Sequence, residues 1–182
     1  LFISTCLAII LKELYKLQEE TEHYVNELEE LNSDLMVVSN TDYLTGLYNY
    51  KSFYLTINNF EEYGNGKYNS LCMALIDIDN FKNINDTYGH LVGDMILSDL
   101  AKLMRHNVRE IDFLARYGGE EFVIMFPTIS LKQAEAICER LRKTVELNTF
   151  EVEDYSIDIT VSIGVSRLDI FKPNHVKKFI KS

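Results

Sequence analysis

Four carboxylates stand in two short segments of the 182-residue sequence, each beside a hydrophobic run. Asp77 and Asp79 lie at the end of the run 71–78, and Glu120 and Glu121 begin a second run. Residues i and i+2 of a strand face the same side, and carboxylates at the mouth of a buried strand are costly without a cation or a partner. If the two segments are neighbouring strands, the acidic groups converge and suit Mg²⁺, which takes oxygen ligands and keeps bonds to phosphate. A single acidic residue at a turn would simply be solvated, so the prediction of metal-assisted phosphoryl transfer rests on the set.

The residues that follow Asp79 extend this prediction to a triphosphate site. A short helix predicted over residues 80–88 would offer free backbone N–H groups to an anion, and Lys82 adds a positive charge in its first turn. A calcium loop starting at Asp77 is excluded, because Lys82 occupies the position that needs glycine and Tyr88 the position that needs glutamate. The sequence also contains no P-loop.

The composition limits the classes of protein that this chain can belong to. Hydrophobic residues make up 47% of it, which is typical of a globular protein and excludes wholesale disorder. The formal net charge of −10 argues against a nucleic-acid partner, which would require a basic face. Cys6, Cys72 and Cys138 are far apart in the sequence, a pattern that predicts neither a disulfide framework nor a zinc site and suits a reducing compartment.

The first segment, residues 1–11, carries no charge, whereas a membrane-spanning helix needs about 20 apolar residues. Two interpretations stay open: the end of a transmembrane helix that begins upstream, or a hydrophobic helix start or cut-off signal sequence. Lys12 and Lys16 follow directly and favour a cytoplasmic exit, but Glu13 and Glu19 weaken that rule here. The predicted location is therefore a cytoplasmic domain, anchored to the inner membrane on the first interpretation.

A narrow apolar seam then runs through residues 7–39. Its members alternate in steps of three and four: Leu7, Ile10, Leu14, Leu17, Thr21, Tyr24, Leu28, Leu31, Leu35 and Val38. A period of about 3.5 residues predicts a coiled coil, and hence a parallel homodimer that holds two downstream domains side by side. The alternative is a single amphipathic helix packed on its own domain, which the long and narrow seam disfavours. The coiled coil would connect to an upstream sensor domain.

The remaining pattern predicts an α+β sheet with helices on its faces. The predicted elements are a helix over 50–62, a strand over 71–78, helices over 80–88 and 93–108, strands over 112–117 and 121–126, a helix over 130–147 and a strand over 157–165. Gly118-Gly119 predicts a hairpin between the second and third strands, because glycine tolerates positive φ.

Three motifs resemble a known family. Residues 116–122, RYGGEEF, resemble the signature of the GGDEF family, the bacterial diguanylate cyclases, in its GGEEF form. Residues 77–90, DIDNFKNINDTYGH, resemble the second signature of that family, and residues 42–49, DYLTGLYN, resemble its first motif. The motifs occur in order at fitting separations, and the resemblance covers residues 40 to about 167.

The resemblance implies a domain over 40–168 with a palm-like antiparallel sheet, similar to ferredoxin-like and nucleotidyl cyclase folds, flanked by helices. It implies condensation of two GTP into cyclic di-GMP with release of pyrophosphate by a homodimer, with Mg²⁺, or Mn²⁺ in its place, as cofactor. The implied metal ligands are Asp77, the Ile78 carbonyl, Glu120 and Glu121. Glu120 is also the implied general base, and Lys82 the implied residue that stabilises phosphate charge. The implied substrate contacts are Asn80, Phe81, Lys82, Asn85, His90 and Asp94, with Asn85 and Asp94 reading the guanine edge.

The segment Arg109-Glu110-Ile111-Asp112 precedes Gly118 by five residues. It resembles the inhibitory RxxD site of the family, at which cyclic di-GMP binds as product and inhibitor. An arginine can bind phosphate or guanine acceptors with its forked donors, and an aspartate can accept from guanine. The alternative for an R-x-x-D segment is a surface ion pair.

Two departures from the family keep other functions open. Tyr50 and Lys51 follow Asn49 where the family has arginine, and residues 169–182 do not match the family's C-terminal helix, so this terminus is atypical or truncated. The alternative to an active, product-inhibited cyclase is therefore a catalytically weak or inactive domain that binds cyclic di-GMP or GTP and signals. A cyclase that makes cyclic AMP is a third hypothesis, which Asn85 and Asp94 disfavour.

Overall fold

The computed structural model describes residues 15–19, 21, 23, 24, 40–63 and 71–168, except for the side chains of 60–63. The chain divides into two compact units, Leu1–Ser39 and Asn40–Ser182. In the first unit the described residues are helical, and the seam residues Leu17 and Tyr24 are 61% and 63% exposed on the single chain. Most of the predicted coiled coil, all of the predicted membrane segment and the atypical C-terminus lie outside the described residues.

The second unit alternates helices and strands. In chain order its described elements are α1 (Tyr50–Tyr63), β1 (Leu71–Ile78), α2 (Phe81–Tyr88), α3 (His90–Asn107), β2 (Phe113–Gly118), β3 (Glu121–Pro127), α4 (Leu131–Glu146), β4 (Thr149–Val152), β5 (Tyr155–Asp158) and β6 (Val161–Leu168). The predicted bounds of β1 agree with the structure at both ends. Among the helices that the structure describes, none has the length and apolar character needed to cross a membrane.

The main sheet has four strands in the order β2-β3-β1-β6, and all neighbouring pairs are antiparallel. Helices follow β1 and β3, while β2 and β3 form a hairpin, so the arrangement is the ferredoxin-like βαββαβ topology. This result confirms the predicted palm-like antiparallel sheet flanked by helices. Strand β1 is a continuous hydrophobic run because it is an inner strand with helices on both faces.

The two faces of β1 belong to two cores. Cys72, Ala74, Ile76 and Ile78 pack in one cluster with the buried residues of α3 and α4. On the opposite face, Leu71 and Met73 pack against Phe53 and Ile57 of α1. Asp77 continues this second row at the end of the strand, where its side chain is exposed. The polar end of the strand therefore lies on the face of the sheet that packs against α1.

Two predicted boundaries were wrong. The strand predicted over 157–165 is two strands, because β5 ends at Asp158 and pairs with β4, while β6 begins at Val161 in the main sheet. The β4–β5 hairpin was missed because its turn contains no glycine; Glu153 takes the left-handed conformation there with φ 51°. Helix α3 begins at His90 rather than at the predicted residue 93, so Gly93 lies inside the helix and not at its start.

Candidate active site

The strand register places acidic residues side by side at one end of the sheet. Asp77 of β1 is the direct partner of Glu121 on β3 and of Ser162 on β6. Residues directly opposite one another in antiparallel strands share a face of the sheet. Two of the three carboxylates predicted as metal ligands, Asp77 and Glu121, are therefore brought together by the sheet itself.

The β2–β3 turn places the third carboxylate near the first. The register shifts between Arg116 and Gly118, so that Gly118 pairs with Glu121 and leaves Gly119 and Glu120 at the tip. Gly119 has φ 50°, a left-handed conformation that glycine adopts without the steric cost of a side chain. Glu120 is half-buried, and it lies close enough to Asp77 for its negative charge to raise the pKa of that carboxyl.

The electrostatics of Asp77 and Asp79 differ, although both stand at the end of β1. The pKa of Asp77 is raised, first by partial burial and then by the negative charges of Glu120 and Asp79. Asp79 accepts hydrogen bonds of 2.6 Å from the hydroxyls of Thr160 and Ser162, which lower its pKa. Asp79 thus links the start of β6 to the end of β1, whereas the Asp77 carboxylate makes no hydrogen bond or ion pair with the described residues.

The donor set fits a hard divalent cation. Among the described residues, no group of three or more His, Cys, Asp or Glu side chains forms a metal cage by itself. Mg²⁺, however, is usually held by one or two carboxylates together with substrate phosphates. Asp77 and Glu120 carry neighbouring negative charges, and Glu121 lies in register with Asp77. None of the three forms an ion pair with a cation among the described residues, which suits a metal site shared by the protein and the substrate.

Four residues predicted to bind GTP lie on α2 and in the first turns of α3, a region called the α2–α3 corner: Lys82, Asn85, His90 and Asp94. Lys82 is exposed in the first turn of α2, and its ammonium has no ion-pair partner among the described residues. Asn85 is half-buried, and its side chain likewise makes no hydrogen bond with the described part of the chain. His90 and Asp94 are exposed in the first turn and a half of α3. The side-chain donors and acceptors of this corner therefore make no hydrogen bonds or ion pairs with other described residues.

Asn80 and Phe81 have other local roles. Asn80 is the exposed N-cap residue of α2 and has a left-handed backbone with φ 58°. The Phe81 ring is only 6% exposed and belongs to the core. A substrate contact at Phe81 would therefore involve its backbone, while the ring holds the helix on the sheet.

Arg109 and Asp112 bind each other at the edge of a cavity. The Arg109 guanidinium donates to both carboxylate oxygens of Asp112, its Nε lying 3.1 Å from each, and the Arg109 backbone N–H donates to the same group. The Asp112 side chain is 0% exposed, and its hydrogen bonds raise the pKa of Arg109. The pair is therefore more than a solvated surface contact, and the Asp112 carboxylate binds the Arg109 guanidinium in this structure.

The cavity beside this pair has a volume of about 570 Å³. Its lining consists of Tyr48, Arg105, Val108, Arg109, Glu110, Asp112 and Leu114. Arg105 and Tyr48 were not singled out from the sequence. Arg105 lies in the last turn of α3 and Arg109 beyond the end of that helix, so no helical spacing linked the two in the sequence. Tyr48 reaches the cavity through its bridge to Ala115 of β2.

A second arginine supports the turn that carries Glu120. Arg116 donates through Nη1 to Asp42, and through Nε and Nη2 to the Gly119 carbonyl at 3.0 and 2.8 Å. Its backbone N–H also donates to the Tyr48 carbonyl at 2.8 Å. The segment 41–49 and the β2–β3 turn are therefore linked through one side chain, a contact that the sequence did not predict.

An antiparallel palm-like sheet with carboxylates at the end of β1 and at the β2–β3 turn defines a nucleotidyl-cyclase type of domain. Residues 39–182 match the family described as diguanylate cyclase, GGDEF domain, and the chain belongs to that family. Diguanylate cyclase A of Treponema denticola is 42% identical over 142 residues, covering 74% of this chain and 37% of that protein. Diguanylate cyclase DgcP of Pseudomonas aeruginosa is 31% identical over 167 residues, covering 92% of this chain and 24% of that protein. The chain thus spans about two fifths or less of these curated relatives.

Solved structures share the fold. The diguanylate cyclase SiaD of P. aeruginosa, in complex with its activator SiaC, has a TM-score of 0.77 at 30% identity, covering 98% of this chain and 68% of that one. The coiled coil and GGDEF domain of DgcB from Caulobacter crescentus, in complex with c-di-GMP, has a TM-score of 0.76 at 29% identity, covering 90% and 87%.

Proposed function

We propose that this domain is a diguanylate cyclase that condenses two GTP into cyclic di-GMP and two pyrophosphates. The observation that carries the proposal is the placement of Asp77, Glu120 and Glu121 together within the GGDEF signatures, with no described cation to neutralise them. In each half of the reaction the 3′-hydroxyl oxygen of one GTP attacks the α-phosphorus of the other. The bond from that phosphorus to the pyrophosphate oxygen breaks, and the hydroxyl proton passes to Glu120. Two such steps close the ring.

Mg²⁺, or Mn²⁺ in its place, would be held by the carboxylates of Asp77, Glu120 and Glu121 and the Ile78 carbonyl. When bound, such an ion supplies charge neutralisation for the triphosphate and for the leaving pyrophosphate. Lys82 contributes a second positive charge in the first turn of α2, whose free N–H groups also favour an anion. In these assignments every protein ligand is an oxygen atom, which is the kind of ligand that a hard cation prefers.

The guanine base would bind at the α2–α3 corner. A carboxylate is a natural acceptor for the N1–H and N2–H donors of guanine, which suits the exposed Asp94. The Asn85 amide supplies one donor group and one acceptor group to the same edge. His90 would line this pocket. Adenine lacks the N1–H donor, so the corner favours GTP over ATP.

Each domain would bind one GTP, so that catalysis needs two domains face to face. The exposed seam residues Leu17 and Tyr24 support a homodimer through the predicted coiled coil, because a second helix would bury them. An upstream sensor would act through this segment. A domain that consumes GTP would work in the cytoplasm, and attachment to a membrane through residues 1–11 stays a prediction.

Product inhibition would use the cavity at Arg109. The Nη1 group of Arg109 makes no hydrogen bond with the described residues, which leaves a donor for a phosphate or guanine oxygen of cyclic di-GMP. Asp112 holds the guanidinium in place. The complex of DgcB with c-di-GMP supports the choice of ligand.

The cavity also favours a second candidate function, a receptor that binds cyclic di-GMP without turnover. It lies at α3 and β2, apart from the carboxylates at the end of β1, and would work without them. Binding alone therefore does not distinguish the two functions.

A nucleotide panel tests the proposal. The purified full chain is incubated with GTP, ATP or inosine triphosphate in Mg²⁺, in Mn²⁺ and in EDTA, and chromatography quantifies cyclic dinucleotide and pyrophosphate. The proposal expects cyclic di-GMP from GTP with either metal ion and none in EDTA. A folded dimer that binds cyclic di-GMP by calorimetry but forms no product would favour the receptor, and formation of cyclic AMP from ATP would contradict both.

A further inference from the structure

Gly93 lies inside helix α3, where it is buried and directly precedes Asp94. A Cβ atom built on Gly93 would stand 2.0 Å from Oδ1 of Asn85, 3.1 Å from its Cγ and 3.3 Å from Cζ of Phe81. The first distance is far inside van der Waals contact. The Asn85 amide therefore occupies the space that any other residue at position 93 would fill.

The surroundings of Asn85 explain why this space matters. The Asn85 backbone is fixed, since its carbonyl accepts from the Gly89 N–H at 2.9 Å. Its side chain makes no hydrogen bond with the described residues, so packing rather than bonding sets the position of the amide. The bare backbone of Gly93 and the buried Phe81 ring form the surface against which that amide rests.

We propose that Gly93 is a positioning residue for guanine recognition, acting through Asn85. This inference rests on the proposed function, in which Asn85 and Asp94 read the base. Because Gly93 has no side chain, the Asn85 amide can lie in the α2–α3 corner. Gly93 itself is one residue away from Asp94 along α3. With a methyl group at position 93, the amide must rotate out of the corner and its hydrogen bond to guanine is lost.

Gly93→Ala is a clean probe of this arrangement. Gly93 has an ordinary helical backbone, so alanine is compatible with it and raises helix propensity. The colliding atom is the end of a short side chain that is free to rotate, so the fold survives while the amide moves. Gly164→Ala is the matched control, because a Cβ there meets nothing within 4 Å.

The experiment measures binding of α,β-methylene GTP, whose α–β bridge resists transfer, by calorimetry with Mg²⁺. We expect Gly93→Ala to weaken binding about tenfold, the effect of one hydrogen bond, with Gly164→Ala unchanged. In turnover, the KM for GTP rises by a similar factor while kcat at saturation is retained. In an Asn85→Ala background, Gly93→Ala has no further effect on affinity.

Other results overturn the inference. Unchanged affinity in Gly93→Ala, beside a weakened Asn85→Ala, would separate Gly93 from recognition. Additive losses in the double variant would mean that Gly93 acts through another group. If Gly93→Ala lowers the melting temperature and the addition of Asn85→Ala does not restore it, the new methyl group collides with a residue other than Asn85. If wild type binds the analogue but makes no cyclic di-GMP, the proposed reaction fails while the role of Gly93 in binding is still decided.

Discussion

Arg116 and Asp42, 74 residues apart in the sequence, form an ion pair with an Nη1 to Oδ1 distance of 3.1 Å. Both side chains are largely shielded, at 15% and 16% exposure. The same guanidinium donates to the Gly119 carbonyl in the turn that carries Glu120. The position of the proposed general base is therefore tied to a residue near the start of the globular unit.

Replacing Arg116 by alanine should loosen that turn. We expect kcat to fall by about 10²-fold, since a misplacement of about 1 Å at a reacting group has this effect. GTP affinity should change little, because the α2–α3 corner is untouched. Steady-state kinetics and analogue binding separate the two effects. Arg142→Ala, which removes an exposed arginine paired with Glu139 and Glu146, is the control; equal kcat values for the two variants would contradict the prediction.

The Asp42 carboxylate should make stability depend on pH. Partial burial alone would raise its pKa, but hydrogen bonds from Thr45 and the Arg116 guanidinium outweigh this effect, so the pKa lies below its ordinary value. A lowered folded-state pKa contributes stability above the unfolded-state pKa of about 3.9, and this contribution is lost as the pH falls through the folded-state value. The stability gap between wild type and Asp42→Asn, from urea unfolding, should be constant near neutrality and shrink in acid. A gap that stays constant down to pH 2.5 would contradict the ion-pair assignment.

Arg109→Ala should relieve product inhibition while leaving the initial rate intact. We expect cyclic di-GMP affinity to fall at least about tenfold, because a charge-assisted hydrogen bond is lost. The substitution also leaves the buried Asp112 carboxylate without its cation, which should lower the free energy of unfolding by about 1–3 kcal/mol.

The variant Arg109→Ala with Asp112→Asn separates these effects. It should recover part of the lost stability, since no buried charge is left, but none of the product affinity. Inhibition curves and urea unfolding provide the measurements. Recovery of product binding in the double variant would mean that Arg109 does not contact the ligand.

Two cysteines should be unreactive in the folded protein. Burial raises the pKa of Cys138 to about 12, and burial also raises that of Cys72. Since the thiolate is the reactive form, neither should be alkylated by iodoacetamide at pH 8 before unfolding. Peptide mass spectrometry with and without urea checks this expectation, and fast native labelling of Cys138 would argue against its packing in the core.

The sequence predicted the strand over 71–78 because a hydrophobic run encodes it locally. It predicted the convergence of the carboxylates only on the condition that β1 and the β2–β3 hairpin are neighbours, which the register of Asp77 with Glu121 bears out. It did not predict the Arg116 contact with Asp42, which depends on the pairing of Tyr48 with β2. Helix α3 was predicted to begin at residue 93, whereas it begins at His90 and has Gly93 in its interior, where glycine usually weakens a helix. The Asn85 amide occupies the space that a side chain at position 93 would fill. The β4–β5 hairpin was missed for a similar reason, because residue Glu153 adopts a backbone conformation that its type rarely favours.

The turnover rate of Glu120→Gln tests directly whether Glu120 is the general base of a diguanylate cyclase. This change removes the proton acceptor but keeps the size of the side chain. We expect formation of cyclic di-GMP to fall by about 10²–10⁴-fold, with the oligomeric state retained. The matched variant Glu135→Gln, at an exposed position of α4, should keep the wild-type rate. Turnover of Glu120→Gln at the wild-type rate would contradict the assignment of Glu120 as the general base.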